Sequence, residues 1–161
     1  MSEYLRGNYL ISTEPELLDL DAIFAFISRA YWGMGRPRAV MKRALENSLC
    51  FGVYDLNMPE KVGDKNSRRQ IGLARVVTDQ AIFAYLCDVY ILEEYRGQGL
   101  GTWLLETVAN YPDLQGLRRW ALNTRDAHRL YEKFGFLGLL APQNWMELFT
   151  PYPGDAEEGQ E

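Results

Sequence analysis

The 161-residue sequence is poor in the groups from which metal and thiol chemistry is built. It has one histidine, His128, and two cysteines, Cys50 and Cys87, with no CxxC pair. A single imidazole makes no metal site, and His128, off the apolar stripe of its helical pattern, reads as a solvated side chain. Each cysteine lies in an apolar, strand-like run where a buried thiol is the ordinary outcome, and spacing alone leaves a disulfide open. Long apolar runs are missing as well. The longest, AIFAYLC at 81–87, falls far short of the about 20 residues that a membrane helix requires. The opening MSEYLRGNYLISTE carries Glu3 and Arg6 where a signal peptide would be apolar. The reading is of a soluble cytoplasmic protein with no membrane partner.

Positive charge is also scarce. The formal charge is -5, yet the terminal stretch TPYPGDAEEGQE holds Asp155, Glu157, Glu158 and Glu161 and no base, so the body is near -1. Such a body sets up no field for nucleic acid, and Arg68-Arg69, Arg118-Arg119 and Arg96 are too short as clusters to track phosphates. With 47% apolar residues the length suits one domain over 1–150, followed by an acidic, mobile tail over 151–161.

What is present is a regular alternation of strand and helix patterns. NYLIS (8–12) reads as a strand, and Thr13 with Glu16 has capping-box spacing before a helix that carries Leu20, Ile23, Phe24, Ile27 and Tyr31 on one face. YWGMGRP breaks it, and Pro37 opens a second helix. LCFGVY (49–54) is a strand, and NMPEKVGDKNSRR reads as a hairpin loop. IGLARVVT (71–78) and AIFAYLCDVYIL (81–92) are strands joined tightly. Then come a helix from Leu100 to Tyr111, a strand LRRWALN (117–123), a helix RDAHRLYEKF (125–134) capped by Gly135, and FLGLL with WMELF as a closing hairpin. The order predicts a mixed sheet with helices on its faces.

Three glycines crowd the turn YRGQGLG between the long strand and its helix. A sharp strand-to-helix turn presents main-chain amides without internal partners at the positive end of a helix dipole, which is an anion site. Gly97, Gly99 and Gly101 permit close approach, and Arg96 adds a positive charge. The spacing excludes a dinucleotide GxGxxG, whose third glycine would fall on Thr102 or Leu104, and no GK[ST] follows.

What fits is [QR]xxGx[GA] at Arg96, Gly99 and Gly101, after a strand ending DVYILEEY. In DVYILEEYRGQGLG and, downstream, RDAHRLYEKFGF, the sequence resembles two motifs of the GNAT superfamily of N-acetyltransferases, and the element order agrees from about residue 8 to 149. The resemblance implies an α/β (α+β) fold with a mixed, mostly antiparallel sheet of six or seven strands, about four helices and splayed central strands. It implies acetyl-CoA as cofactor, with the pyrophosphate on the amides of Gly97, Gln98, Gly99, Leu100, Gly101 and Thr102. The pantetheine arm would pair with the strand edge at Val89, Tyr90 and Ile91. Asn123 or Thr124, before Ala127, would bond to that arm; family members often carry Asn where this chain has Thr124.

The implied chemistry is direct attack of a primary amine, small molecule or peptide, in a ternary complex. Tyr131 resembles the family tyrosine that protonates the departing thiolate, although its place on an apolar helix face also suits a core residue. Asp88, a carboxylate in an apolar strand, reads either as base or orienting group for the amine, or as half of a structural ion pair. Polyamine acetyltransferases of the family show Glu-Asp at this point; Cys87-Asp88 here leaves the base open. Tyr31, Trp32 and Met34, with Tyr85 and Cys87 on the long strand, are candidate acceptor contacts, and aromatics beside a carboxylate would suit a cationic amine. A non-catalytic acyl-CoA-binding module is the alternative, and a homodimer, common in the family, is left open.

Overall fold

The computed structural model describes residues 2–57 and 68–152. Most of the connection expected between residues 57 and 69, and the tail beyond residue 152, lie outside the described residues. Six strands form one sheet in sequential order: β1 (Glu3–Arg6), β2 (Tyr9–Ser12), β3 (Leu49–Asp55), β4 (Arg69–Thr78), β5 (Phe83–Ile91) and β6 (Arg119–Leu122). Pairing is antiparallel from β1 through β5, and β6 joins β5 in parallel. A parallel neighbour requires a crossover, which is supplied by α3 (Leu100–Ala109). The other helices are α1 (Leu20–Ile27), α2 (Arg38–Glu46) and the short α4 (His128–Glu132).

The sheet has one core on each face. Ile11, Phe51, Val53, Ile71, Ala74 and Val76 pack with Leu100, Leu104, Leu105 and Val108 of α3. On the opposite face Leu73, Tyr90 and Cys50 pack with Ile23 and Ile27 of α1 and Met41 and Leu45 of α2. From Leu73 onward, alternation along β4 sorts its side chains between the two; Ile71, of the same parity as Leu73, joins the α3-side core because the register with β3 shifts between Val53 and Tyr54.

β5 breaks that alternation. Leu73 pairs with Tyr90 and Arg75 with Cys87, so Ala74 alone faces both Asp88 and Val89. Asp88 has φ 49°, the left-handed conformation that a bulged residue adopts and that few non-glycine residues tolerate. The extra residue shifts the strand's parity. Leu86 packs on the α3 side while Tyr90, four residues on, packs on the α1 and α2 side. Cys87 and Asp88, although consecutive, therefore both face α1 and α2.

Several boundaries differ from the sequence expectation. β1 is an added edge strand. Residues 13–18 form a short 3-10 turn (Pro15–Leu17), and the helix start is capped by Asp19, whose side chain accepts from the Ala22 amide at 3.0 Å. Tyr31 lies beyond the end of α1, because the chain turns at Ser28 into YWGMGRP. The closing hairpin does not form. Residues 136–149 contain no strand, only a 3-10 turn at Pro142–Asn144, and they leave Leu137, Leu140, Met146 and Leu148 more than four-fifths exposed. A β-rich composition reports fit to a pleated surface and does not by itself make a segment pair: β6 is the last strand of the sheet, and residues 136–149 do not join it.

YWGMGRP is held by a steric constraint. A Cβ on Gly33 would lie 2.5 Å from the Ile27 carbonyl oxygen, so only a glycine lets this loop fold back onto α1. Gly33→Ala is expected to cost about 1–3 kcal/mol through overpacking, read as a lowered urea midpoint with unchanged slope.

Candidate active site

The turn after β5 brings the glycine cluster to the surface. Glu93–Tyr95 forms a 3-10 turn, Arg96 to Gly99 are exposed, and Gly97 and Gly99 both have φ 77°. Gly99 is the N-terminal cap residue of α3, and Trp103 donates the first helical bond, to the Gly99 carbonyl. Among the described residues, none of the amides from Gly97 to Thr102 donates to a backbone carbonyl. No atom lies within 4 Å of where a Cβ on Gly97 would stand, so the turn has open space beside Gly97 at a helix N-terminus.

The loop is braced from the first hairpin. Arg6 donates to the Gly99 carbonyl at 3.4 Å and lies over the Trp103 ring, and the Tyr9 hydroxyl bonds to Gln98 Oε1 at 2.9 Å. Arg96 donates from Nε to the Ile91 carbonyl at 3.2 Å and so ties the turn to the end of β5.

Beside this loop the sheet opens. β6 pairs with β5 only from Phe83 to Leu86, and β6 ends at Leu122, while β5 continues to Ile91. The β6-side edge of Cys87 to Ile91 is thus left without a strand partner among the described residues. Tyr131 of α4 stands at this opening: it packs against the α3-side core, and its hydroxyl senses the charge states of Tyr31 and Cys87. A cavity of about 1020 Å³ lies further on, between α3, β6 and residues 136–146. Tyr131 and Leu86 are on its wall, but no residue from 88 to 102 is, so it is not the glycine-loop site.

On the α1 and α2 side of the same strand, Asp88 is the centre of a charge cluster. Its side chain is 1% exposed. Oδ2 accepts from Arg75 Nε at 2.7 Å, both oxygens accept from Arg36 Nη1 at 3.0 Å, and Oδ1 accepts from Trp32 Nε1 at 3.1 Å. Arg75 also donates from Nη1 to Ser48 Oγ at 3.1 Å. Burial works against the Arg75 charge, but the charge and hydrogen bond of Asp88, with Cys87 and Cys50, together outweigh it and hold the guanidinium above its ordinary pKa.

An unpaired amide turn thus leads to a parted strand pair, and similarity to known proteins gives the family. Residues 62–137 match the family described as Acetyltransferase (GNAT) domain. A Gibberella zeae protein named as an acetyltransferase is 39% identical over 142 residues, covering 81% of this chain and 79% of that one. The chain belongs to the GNAT family. A crystal structure of a GNAT-family acetyltransferase from Xanthomonas campestris pv. campestris superposes with a TM-score of 0.78 at 42% identity, covering 89% of this chain and 94% of that one. A GNAT structure from Elizabethkingia anophelis with acetyl-CoA bound shares the fold, with a TM-score of 0.58 at 14% identity over 91% and 90% of the two chains. As a GNAT protein, the chain is an acetyl-CoA-dependent N-acetyltransferase.

The GNAT fold brings Tyr31, Trp32, Tyr85, Cys87, Asp88 and Tyr131 into one region, but with a charge balance opposite to the one expected. Trp32 gives its indole N-H to the carboxylate rather than standing beside a free one. Tyr31 has Arg125 stacked 3.9 Å from its ring centroid, and its hydroxyl accepts from the Arg125 amide at 3.1 Å. Met34 is half exposed on the loop. Thr124 Oγ1 accepts from the Ala127 amide at 3.1 Å, whereas Asn123 is exposed.

Sequence reasoning passed over Arg36 and Arg75. The signal for Arg75 was available: it is a lone cation in an apolar strand whose antiparallel partner carries a lone acid. Glu147 was also missed. It lies close enough that its charge helps raise the Tyr85 hydroxyl, after burial and the neighbouring Cys87 and Asp88.

Burial pushes the Cys87 thiol up to about 11, and Arg75 only partly offsets this. Both cysteines are free thiols, and Cys50 is pushed up to about 12. A shift of two units leaves about 100-fold less thiolate at pH 8. Cys87 is therefore expected to alkylate about 100-fold more slowly than free cysteine in a stopped iodoacetamide assay. Asp88→Asn would strand two nearly buried guanidiniums and is expected to cost about 3–5 kcal/mol in urea unfolding; a loss below about 1 kcal/mol would show that solvent already screens the cluster.

Proposed function

We propose that the enzyme transfers acetyl from acetyl-CoA to a primary amine, on a small molecule or peptide, by direct attack in a ternary complex without an acyl-enzyme. The observation that carries this is the continuous track from the exposed amides of Gly97 to Thr102, along the free edge of Cys87 to Ile91, to Tyr131.

The residues present fit the cofactor along its length. The first-turn amides of α3 would hold the pyrophosphate, with Arg96 and Arg6 adding charge. Val89, Tyr90 and Ile91 offer an unpaired strand edge for the pantetheine amides. Asn123 is the freer polar group at the facing side, because Thr124 is engaged with Ala127. Bound there, acetyl-CoA supplies a thioester whose C–S bond breaks as the N–C bond forms, leaving the free thiol of coenzyme A.

Burial, with smaller contributions from Tyr31, Asp126 and Cys87, raises the Tyr131 phenol to about 12. It keeps its proton at neutral pH and can give it up at Oη to the departing sulfur, then recover it from solvent. Asp88 is assigned to positioning. Its oxygens are filled by three side-chain donors, so it has no vacant site at which to take the amine's proton. That proton leaves to water rather than to one dedicated base. The raised Cys87 thiol is a poor nucleophile, in accord with direct transfer.

Coenzyme A at about 100 times its Kd should stabilise the protein by about 2.7 kcal/mol, read as a thermal shift. Gly99→Val should remove that shift, since a β-branched residue cannot hold φ 77°. Tyr131→Phe should keep it while lowering kcat about 100-fold. No shift at millimolar coenzyme A would end this reading; a shift without thiol release from any amine would leave a binding module instead.

A further inference from the structure

The Asp88 cluster is unbalanced. Two guanidiniums, each with a side chain only 11–12% exposed, share one carboxylate, so the nearly buried group carries one excess positive charge. A structural ion pair needs only one arginine, and an uncompensated charge so placed is costly. A second anion would complete the set.

The donors for it are present. Arg36 uses only Nη1, on Asp88 and the Met41 sulfur, and Arg75 uses Nε and Nη1. Arg36 Nε and Nη2 and Arg75 Nη2 therefore have no hydrogen bond to a described residue. Among described buried side-chain polar atoms, only the Tyr54 hydroxyl is both enclosed and unpartnered. The vacant guanidinium nitrogens consequently reach solvent. They are rigid, held on one side by Asp88 and largely desolvated, which is the state in which arginine binds carboxylate or phosphate most effectively.

The cluster also lies beside the reacting region. Arg75 and Arg36 both act on the thiol of Cys87, the first β5 residue beyond the pairing with β6, and Cys87 in turn acts on Tyr131. The remaining charges are outer ones. Asp126 and Glu147 are exposed, and Arg125 is stacked on Tyr31. Glu147, near Tyr85, is a carboxylate that an ammonium could approach, whereas Asp88 is fully engaged.

We propose, on the footing of the acetyl-transfer reading above, that the acceptor is an amine that also carries an anionic oxygen group, which Arg36 and Arg75 bind while its amine lies toward Tyr85 and Cys87. An amino acid satisfies this chemistry with a carboxylate, and an aminoalkyl phosphate satisfies it with a phosphate. A polyamine does not.

The test compares matched acceptors by thiol release: an amino acid, its methyl ester, the decarboxylated amine, and the aminoalkyl phosphate of the same chain length. The acid or the phosphate should exceed the neutral-tailed amines at least about tenfold in kcat/KM, and whichever of the two leads names the anion. Arg36→Gln should bring the ratio near one, mainly through KM, with coenzyme A affinity unchanged. Arg36→Lys, which keeps the charge without the fork, should fall between them and covers the case in which the glutamine variant does not fold. Equal rates, a preference for decarboxylated amines or polyamines, or an unchanged ratio in the variants would overturn the proposal. If no acceptor turns over although coenzyme A binds, calorimetry with the N-acetyl amino acid and its methyl ester decides. Selective binding of the acid, lost in Arg36→Gln, upholds the anion site independently of transfer, and equal or absent binding of the two overturns it.

Discussion

The site depends on a single backbone conformation, the left-handed φ at Asp88 within β5. It inserts one residue opposite Ala74 and so changes which face of the sheet each later residue meets. Without it, Leu86 and Tyr90 would share a face, and Asp88 would point into the apolar core under α3. With it, the carboxylate turns toward α1, α2 and the YWGMGRP loop, where two arginines and an indole reach it. The conformational strain of a non-glycine residue at positive φ costs on the order of 1 kcal/mol or more, and the three side-chain donors on Asp88 offset it.

The two edges and faces of the same strand are used differently. The edge toward β4 remains hydrogen bonded apart from the bulge, so the strand is rigid. The edge toward β6 is released after Leu86, where β6 ends, and stays available for an extended partner. The glycine turn lies at the end of that free edge, tied to it by Arg96 and braced by Arg6 and Tyr9. A cofactor that is anionic at one end and amide-bearing along its length fits a site with main-chain amides first and a strand edge second.

Electrostatics gives the acceptor side a different character. A carboxylate in a strand suggests, taken alone, attraction for a cationic amine. Paired with two guanidiniums it becomes part of a positive floor. On the proposed reading, that floor would disfavour an ammonium and favour the neutral amine.

Much of the glycine turn was legible in sequence because its determinants are local. Glycines spaced for one turn, an apolar strand before them and an amphipathic helix after them specify an amide cradle with no long-range information, and Arg96, Gly99 and Gly101 lie within six residues. The termini of elements were less legible. Asp19 rather than Thr13 caps α1, and FLGLL with WMELF did not pair, since β propensity describes suitability for a sheet and not membership of one. The acceptor side was legible only as a set of unconnected oddities: a carboxylate and an arginine in apolar strands, and an aromatic loop between helices. Their meeting is a matter of register. Antiparallel pairing sets Arg75 across from Cys87, the bulge turns Asp88 to the same face, and Gly33 lets the loop bring Trp32 and Arg36 down onto it. The sequence by itself determined the family, the amide cradle and the strand that leads from it, because these follow from neighbours along the chain. Only the tertiary structure decided the sign of the charge around Asp88, because that sign is the sum over side chains up to 56 residues apart.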